Sequence, residues 1–465
     1  MSSVRPESRG LTIAFACVAM LVSYLPFSSV NGVLGAVGAS TGASTSELQW
    51  VTDAFAVALA GTVLSGGVLA ARYGRARVTL AGLTLTGLGS ALGLVSGAVS
   101  HSTAIRVLWA GQAIAGIGGG LVMSASLELI VAVAGSVAER ARAIGLWAGA
   151  NVFALGGGPF LSGWLSEWTS WRWLYVPVLA CVVGTIAFGA FAADASREER
   201  RGRLDWAGQL TAGAGIVALV YGVIRAGSSG WTSTPAMIGI GLGLVLLVAF
   251  FVAEQRATNP VIEPRLFVSP GFSAAGLAAM AVLFAVIGTV FVLSLYFAHD
   301  GSSGLGIALR LGSLFAGNAL ASVLAARLQA GLSPRSVLVG GLLIAAAGQV
   351  TLLTIGNGTG LAGAAWRLIL FGVGCGLVVA TATVLAVQSA PRRVSGTAGA
   401  ANNAVRQIGG ALGTAVIGGI FARQLATGSS FTSAIHLCAA VLVGVLLTAA
   451  VLAAALLFPR RSSTD

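Results

Sequence analysis

Lysine is absent from this chain: all 26 of its basic residues are arginine, set against 14 acids. A phosphate-binding P-loop closes on Gly-Lys-Ser/Thr, so the chain carries no ATPase of that kind and binds no ATP through one. Charge is scarce as well, at 9% of residues, where a soluble globular domain carries about 25%. The longest polar stretches, 194–205 and 253–269, are too short to bury a core, which excludes a separate soluble domain. Cysteine is limited to Cys17, Cys181, Cys375 and Cys438, all inside apolar runs, where they read as small packing residues and imply neither disulfides nor a metal site. His299-Asp300 and His436 fall near the ends of such runs and read as interface polarity, so no metal and no other cofactor is expected.

What is present in abundance is apolar length. Hydrophobic residues make up 56% of the chain, and its mean hydropathy is +0.92. Fourteen apolar runs stand out, at 11–36, 47–70, 78–98, 104–130, 140–165, 172–193, 206–225, 234–254, 270–298, 303–326, 335–356, 361–389, 396–422 and 433–458. A run of roughly 20 apolar residues crosses the ~30 Å hydrocarbon core as an α-helix, which satisfies its backbone polar groups internally. The fold class is therefore an all-α polytopic membrane protein with 14 transmembrane helices. The first run is too long for a signal peptide, lacks a small-residue cleavage site, and counts as a span.

The net charge of +12 is a topology signal, not a nucleic-acid footprint. Arg5, Arg9, Arg72, Arg75, Arg77, Arg140, Arg142, Arg200, Arg256, Arg335, Arg392 and Arg460 occupy the termini or the even-numbered loops, whereas the other side holds little more than Arg106, Arg172, Arg225 and Arg423. The positive-inside rule then puts both termini in the cytoplasm, with the arginines against anionic lipid. Arginine without lysine, and many alanines and glycines, suggest a GC-rich bacterial genome and a bacterial plasma membrane.

An internal echo divides the chain. Gly116-Ile117-Gly118-Gly119-Gly120-Leu121-Val122 in span four returns as Gly372-Val373-Gly374-Cys375-Gly376-Leu377-Val378 in span twelve. Parallel repeats of this kind imply two six-helix bundles with a substrate path between them. The expected organisation is an N-terminal bundle over 1–195, linkers with extra spans seven and eight over 196–268, and a C-terminal bundle over 269–465. Most of the 66 glycines read as close-packing positions. Gly157-Gly158-Pro159 with Gly163 in span five stands apart, because a proline inside a span frees a backbone carbonyl and the glycines permit a bend or very close contact.

At this point the residues resemble a known family, the major facilitator superfamily, and within it the fourteen-span drug/proton antiporters. Gly67-Val68-Leu69-Ala70-Ala71-Arg72-Tyr73-Gly74-Arg75 is similar to the superfamily's loop between spans two and three. Gly149 through Gly158-Pro159 to Gly163 resembles the antiporter motif, followed by Trp171-Arg172-Trp173. The segment Asn402-Asn403-Ala404-Val405-Arg406-Gln407-Ile408-Gly409-Gly410 resembles the family's span thirteen. The resemblance implies a major facilitator fold and a non-enzymatic carrier, with Gly67, Arg72, Gly74, Arg75, Gly157, Gly158, Pro159 and Gly163 in the conformational motifs. It also sets an expectation that the chain does not meet: Pro26, Ala71 and Gln112 stand where the family places an aspartate, a second aspartate and an arginine.

Proton coupling needs a carboxylate whose charge changes during the cycle, and burial promotes that change. Asp53 in span two and Glu128 near the end of span four are the candidates; Arg310 in span ten and Arg406 in span thirteen are their basic counterparts. A charge inside a span costs on the order of 3 kcal/mol on insertion scales, so each faces a cavity, a partner or the interface. Ion pairing with a loop arginine also explains Glu128, and snorkelling to the interface also explains Arg310. Gln112, Asn151, Asn402, Asn403 and Gln407 are candidate polar groups of a cavity, and Trp109, Trp147 and Trp366 are candidates for an aromatic pocket or for ordinary interface tryptophans.

The leading expectation is a monomeric secondary exporter of lipophilic small molecules, of the multidrug efflux and antibiotic resistance kind, proton-coupled and working by alternating access. The alternatives are an uncoupled or inward solute carrier, and a membrane sensor that keeps the fold without transport.

Overall fold

The computed structural model describes residues 6–98, 101–192, 206–256, 264–390 and 395–458. These are almost entirely helical: α1 (Pro6–Gly32), α2 (Leu34–Thr41), α3 (Thr45–Tyr73), α4 (Arg75–Val95), α5 (His101–Val133), α6 (Val137–Ser166), α7 (Tyr175–Ala192), α8 (Trp206–Ser229), α9 (Thr234–Arg256), α10 (Pro270–His299), α11 (Gly304–Gly331), α12 (Pro334–Leu352), α13 (Leu361–Gln388), α14 (Ser395–Ala426) and α15 (Phe431–Leu457). Among the described residues, 13 helices are long and apolar enough to cross a membrane, and α3, bent by 53° between Val63 and Ser65, makes a fourteenth. The chain is thus a multi-pass membrane protein.

Local chemistry sets the ends of these helices. Ser44 and Glu47 form a reciprocal capping box at the start of α3, and Ser136, Ser333 and Ser430 cap α6, α12 and α15. Each hydroxyl satisfies a backbone N–H that the first turn leaves without an internal partner. Between α3 and α4 the chain reverses on Gly74, whose φ of +96° suits a residue without a Cβ.

The bend in α3 has an identifiable cause. Ser124 of α5 donates its hydroxyl to the Val63 carbonyl, and Thr62 turns its own hydroxyl back on the Ala58 carbonyl at 2.7 Å. Side-chain donors that intrude on the carbonyl ladder at this point tilt the helix where Gly66 and Gly67 follow.

The helices divide into two units, one of Met1–Ala253 with Leu293–Gly312, the other of Glu254–Val292 with Ser313–Asp465. Helix α8 and helix α9 as far as Ala253 belong to the first unit. There Gly213 of α8 lies against Gly61 of α3, so that a methyl group on Gly213 would stand 3.0 Å from the Gly61 carbonyl oxygen.

The glycine echo has the same meaning in both units. In α5, Gly116 and Gly120 turn towards α3, where an added Cβ would run into the Phe55 and Leu59 carbonyls, while Gly118 turns to the Gly82 carbonyl of α4. In α13, Gly372 and Gly376 meet the Leu314 and Asn318 carbonyls of α11, and Gly374 meets Gly341 and Ala345 of α12. Glycines with this spacing let a central helix approach two neighbours backbone to backbone, a source of dispersion and packing energy inside lipid.

Candidate functional site

Asp53 lies on α3 with 0% of its surface exposed. One turn earlier on the same helix face, Gln49 donates its amide to the Asp53 carboxylate at 3.2 Å. The residue beside it, Thr52, donates to the Asn31 side-chain oxygen at 3.3 Å, and Asn31 in turn donates to the Phe27 carbonyl at 2.8 Å. Packed next to this polar run are Tyr24, Phe27 and Phe55, with Phe27 and Phe55 stacked at 5.0 Å and Tyr24 edge-on to Phe55 at 5.8 Å. A carboxylate so placed is held by hydrogen bonds in an apolar surround.

Gln112 of α5 is also buried, and its amide donates to the Pro26 carbonyl at 3.1 Å and to the Tyr175 hydroxyl at 3.4 Å. The two departures from the family pattern at Pro26 and Gln112 are therefore in direct contact, a neutral amide on a carbonyl. Among the described residues, the Gln112 side-chain oxygen, the Asn151 amide nitrogen and the Asn402 side-chain oxygen are buried without a hydrogen-bond partner.

A second cluster gathers the loop motif. Gly67 sits beneath the Glu128 carboxylate: a Cβ there would stand 2.8 Å from a carboxylate oxygen, so the Glu128 side chain would have to shift. The same carboxylate lies 3.8 Å from Arg75 in a half-exposed ion pair. Arg72 joins neither and instead lies over the Tyr73 ring at 5.3 Å. Three of the motif residues singled out from sequence, Gly67, Gly74 and Arg75, thus serve the α3–α4 reversal and its pairing with Glu128.

Along α6 the glycines differ in use. Gly158 lies against Ser28 and Ser29 of α1, Pro159 and Ser162 fill the space over Gly32, and Gly163 meets Gly304 and Ala308 of the Leu293–Gly312 hairpin. Gly157 has only the edge of Phe153 nearby, 3.6 Å from where its Cβ would stand.

Arg310 belongs to the same hairpin, where it donates to the Gly306 carbonyl at 3.1 Å and lies over the Phe297 ring at 5.0 Å. Arg406 is in the second unit and donates to Asn403 at 2.6 Å; Asn402 and Gln407 on the same helix are buried. Gly409 and Gly413 bring that helix, α14, onto the Met280 and Phe284 carbonyls of α10. Trp109 and Trp147 are held at separate points of the first unit, and Trp366 is in the second. Trp147 is buried and donates to Ser126 at 2.9 Å, Trp109 donates to the Glu47 carbonyl at 3.0 Å, and Trp366 is half exposed with Arg367 lying 4.7 Å over its ring.

Three polar residues escaped the reading of the sequence. Asn31 joins α1 to α3, Gln349 is fully buried in α12 and donates to Thr289 of α10 at 2.6 Å, and Arg367 donates to Thr351, Thr354 and Gly363. The available signal was an amide or guanidinium within a span, the same one that marked Asn402 and Arg406.

The first unit thus holds one buried carboxylate bonded to an amide, with further buried amides at Gln112 and Asn151. The sequence profile of the Major Facilitator Superfamily matches residues 16–414. The chain belongs to that superfamily. Within the Major Facilitator Superfamily it is 31% identical to the puromycin resistance protein pur8 of Streptomyces alboniger, over 98% of this chain and 92% of that one. It is 27% identical to the methylenomycin A resistance protein of Streptomyces coelicolor, over 89% and 86% of the two chains, and 29% identical to the cephamycin export protein CmcT of Amycolatopsis lactamdurans, over 87% and 83%. A crystal structure of a bacterial homolog of the human lysosomal transporter Spinster, inward-facing and unoccupied, superimposes with a TM-score of 0.67 at 16% identity, covering 97% of both chains. That likeness is one of fold alone.

Proposed function

We propose that this protein is a secondary active exporter of lipophilic small molecules, drug-like or natural-product-like, which exchanges substrate for protons by alternating access in a bacterial plasma membrane with both termini cytoplasmic. The observation that carries the coupled reading is Asp53, a fully buried carboxylate hydrogen-bonded to Gln49. An ionisable residue inside a membrane span is a place where a proton can be taken up and given up during transport. Export is supported by the names of the relatives, which describe resistance to puromycin and methylenomycin and export of cephamycin. The orientation is supported by the arginines of the even-numbered loops. Within the first unit Gln112 and Asn151 offer polar atoms for substrate groups, and apolar burial supplies affinity with loose selectivity.

The test is collapse of the pH gradient in energised inside-out vesicles, screened against cationic and neutral lipophilic compounds with native protein and Asp53→Asn side by side. A compound-dependent collapse that the variant loses is the expected result. A variant that transports and dissipates the gradient like the native protein would remove Asp53 from the mechanism. The neutral residues at Pro26, Ala71 and Gln112 favour a second reading, an uncoupled carrier. Substrate flux without any gradient collapse, unchanged in Asp53→Asn, would establish it.

A further inference from the structure

Asn31 has three hydrogen bonds that lead to three different places, and it is only 2% exposed. Its amide nitrogen donates to the Phe27 carbonyl one turn back, at 2.8 Å, which fixes the orientation of the side chain. That orientation presents the side-chain oxygen to Thr52 of α3, which donates to it at 3.3 Å. Its backbone carbonyl accepts from the hydroxyl of Ser294 on α10. The carbonyl is available because α1 ends one residue later, at Gly32, and carbonyls in the last turn of a helix have no partner within it.

Ser294 is in the hairpin Leu293–Gly312 that groups with the first unit. The rest of that seam is small residues in tight contact: Gly35 against Ala298, and Gly163 against Gly304 and Ala308. Glycine and alanine surfaces are close-fitting but bury little apolar area each, so one hydrogen bond weighs heavily in how firmly such a seam closes. Thr52 is next to Asp53 in the chain, and at 3.3 Å its bond to Asn31 is close to the limit of hydrogen-bond length. A movement of α3 that draws Thr52 away from α1 breaks that bond.

We propose that Asn31 is a positioning residue that ties the helix bearing Asp53 to the Leu293–Gly312 hairpin, so that a change at Asp53 is transmitted through Thr52 and Asn31 to the closure of the hairpin on α1 and α6. This rests on the role given above to Asp53 and extends it to the route by which that residue acts. With the termini cytoplasmic, the hairpin lies at the outer face, and Asn31 is where the proton-bearing helix meets the outer seam.

The experiment follows the hairpin without measuring transport. In a background with the four cysteines replaced by alanine, Ala308→Cys places a thiol at a position 1% exposed and packed on Gly163. Its rate of reaction with a membrane-impermeant maleimide is read in right-side-out vesicles. Thr52→Val removes the donor to Asn31 and leaves the hairpin's own residues unchanged. It should speed labelling about three- to tenfold, the population shift that loss of one buried hydrogen bond produces. Asn31→Leu should speed it at least as much, Thr52→Ser should keep the native rate, and Thr52→Val should add nothing in the Asn31→Leu background, because its effect runs through Asn31.

Native labelling in Thr52→Val, or a Thr52→Val effect that persists undiminished in the Asn31→Leu background, would overturn the proposal, including where the variant only lowers thermal stability. Failure of Asp53→Asn to alter proton flux, with the Thr52→Val effect present, would instead remove the coupled reading and leave the Asn31 route standing.

Discussion

Gln112 shows at the scale of one residue how this chain departs from its family and remains folded. Its amide meets the Pro26 carbonyl at 3.1 Å, so the positions at which the resemblance leads one to expect an arginine and an aspartate are neighbours that have both become neutral. Losing one member of a buried pair strands a charge at a cost of about 3–5 kcal/mol, while losing both avoids it. Reintroducing the charges should show the same asymmetry. In a Pro26→Ala background, Gln112→Arg is expected to lower thermal stability in detergent steeply, and Pro26→Asp combined with Gln112→Arg to recover most of the loss. A double variant no more stable than the single would mean that the two side chains do not meet. Arg75 and Glu128 provide a contrast: their 3.8 Å pair is loose, and Glu128 is 38% exposed. Glu128→Gln should therefore change stability by less than about 1 kcal/mol, as exposed ion pairs do, measured by the same melting curves.

At the scale of the element, the spans were largely legible because apolar length is a long-range, redundant signal. The run 47–70 became Thr45–Tyr73 and 78–98 became Arg75–Val95. What failed was the interior of spans. The single run 11–36 is two helices parted at Val33, a break that composition cannot mark because both sides are equally apolar. The 53° bend of α3 is due in part to a hydroxyl from another helix, Ser124, which no local pattern announces. Faces were equally hidden: Asp53 could be recognised as an acid in a span but not as the partner of Gln49, and Trp147 could be named but not seen to bond Ser126. The glycine echo succeeded because a glycine needs no orientation to signal close approach. Ser124→Ala tests the account of the bend. With the intruding donor gone, α3 is expected to straighten towards the ~20° that divides kinks from ordinary curvature, lengthening the distance between spin labels at Ser46 and Arg72. An unchanged distance would assign the bend to the Thr62 back-bond.

For the whole molecule, the number of titrating groups determines what drives transport. If Asp53 alone carries the proton, each cycle exchanges one proton for one substrate molecule. A neutral compound then leaves while one positive charge enters, so both the pH gradient and the membrane potential drive its export. A monovalent cation leaves as one proton enters, no net charge moves, and the pH gradient drives export by itself. Moving one charge through 100 mV is worth about 2.3 kcal/mol, close to a fiftyfold difference in the attainable substrate gradient. Collapsing the potential with valinomycin and potassium should therefore depress accumulation of neutral substrates in inside-out vesicles and leave that of cationic substrates intact, whereas nigericin alone, which dissipates only the pH gradient, should abolish accumulation of cationic substrates and only lower that of neutral ones. Sensitivity of cationic substrates to valinomycin would show that a second group titrates in the cycle. Glu128, with its loose hold on Arg75, is the first residue to neutralise in that event.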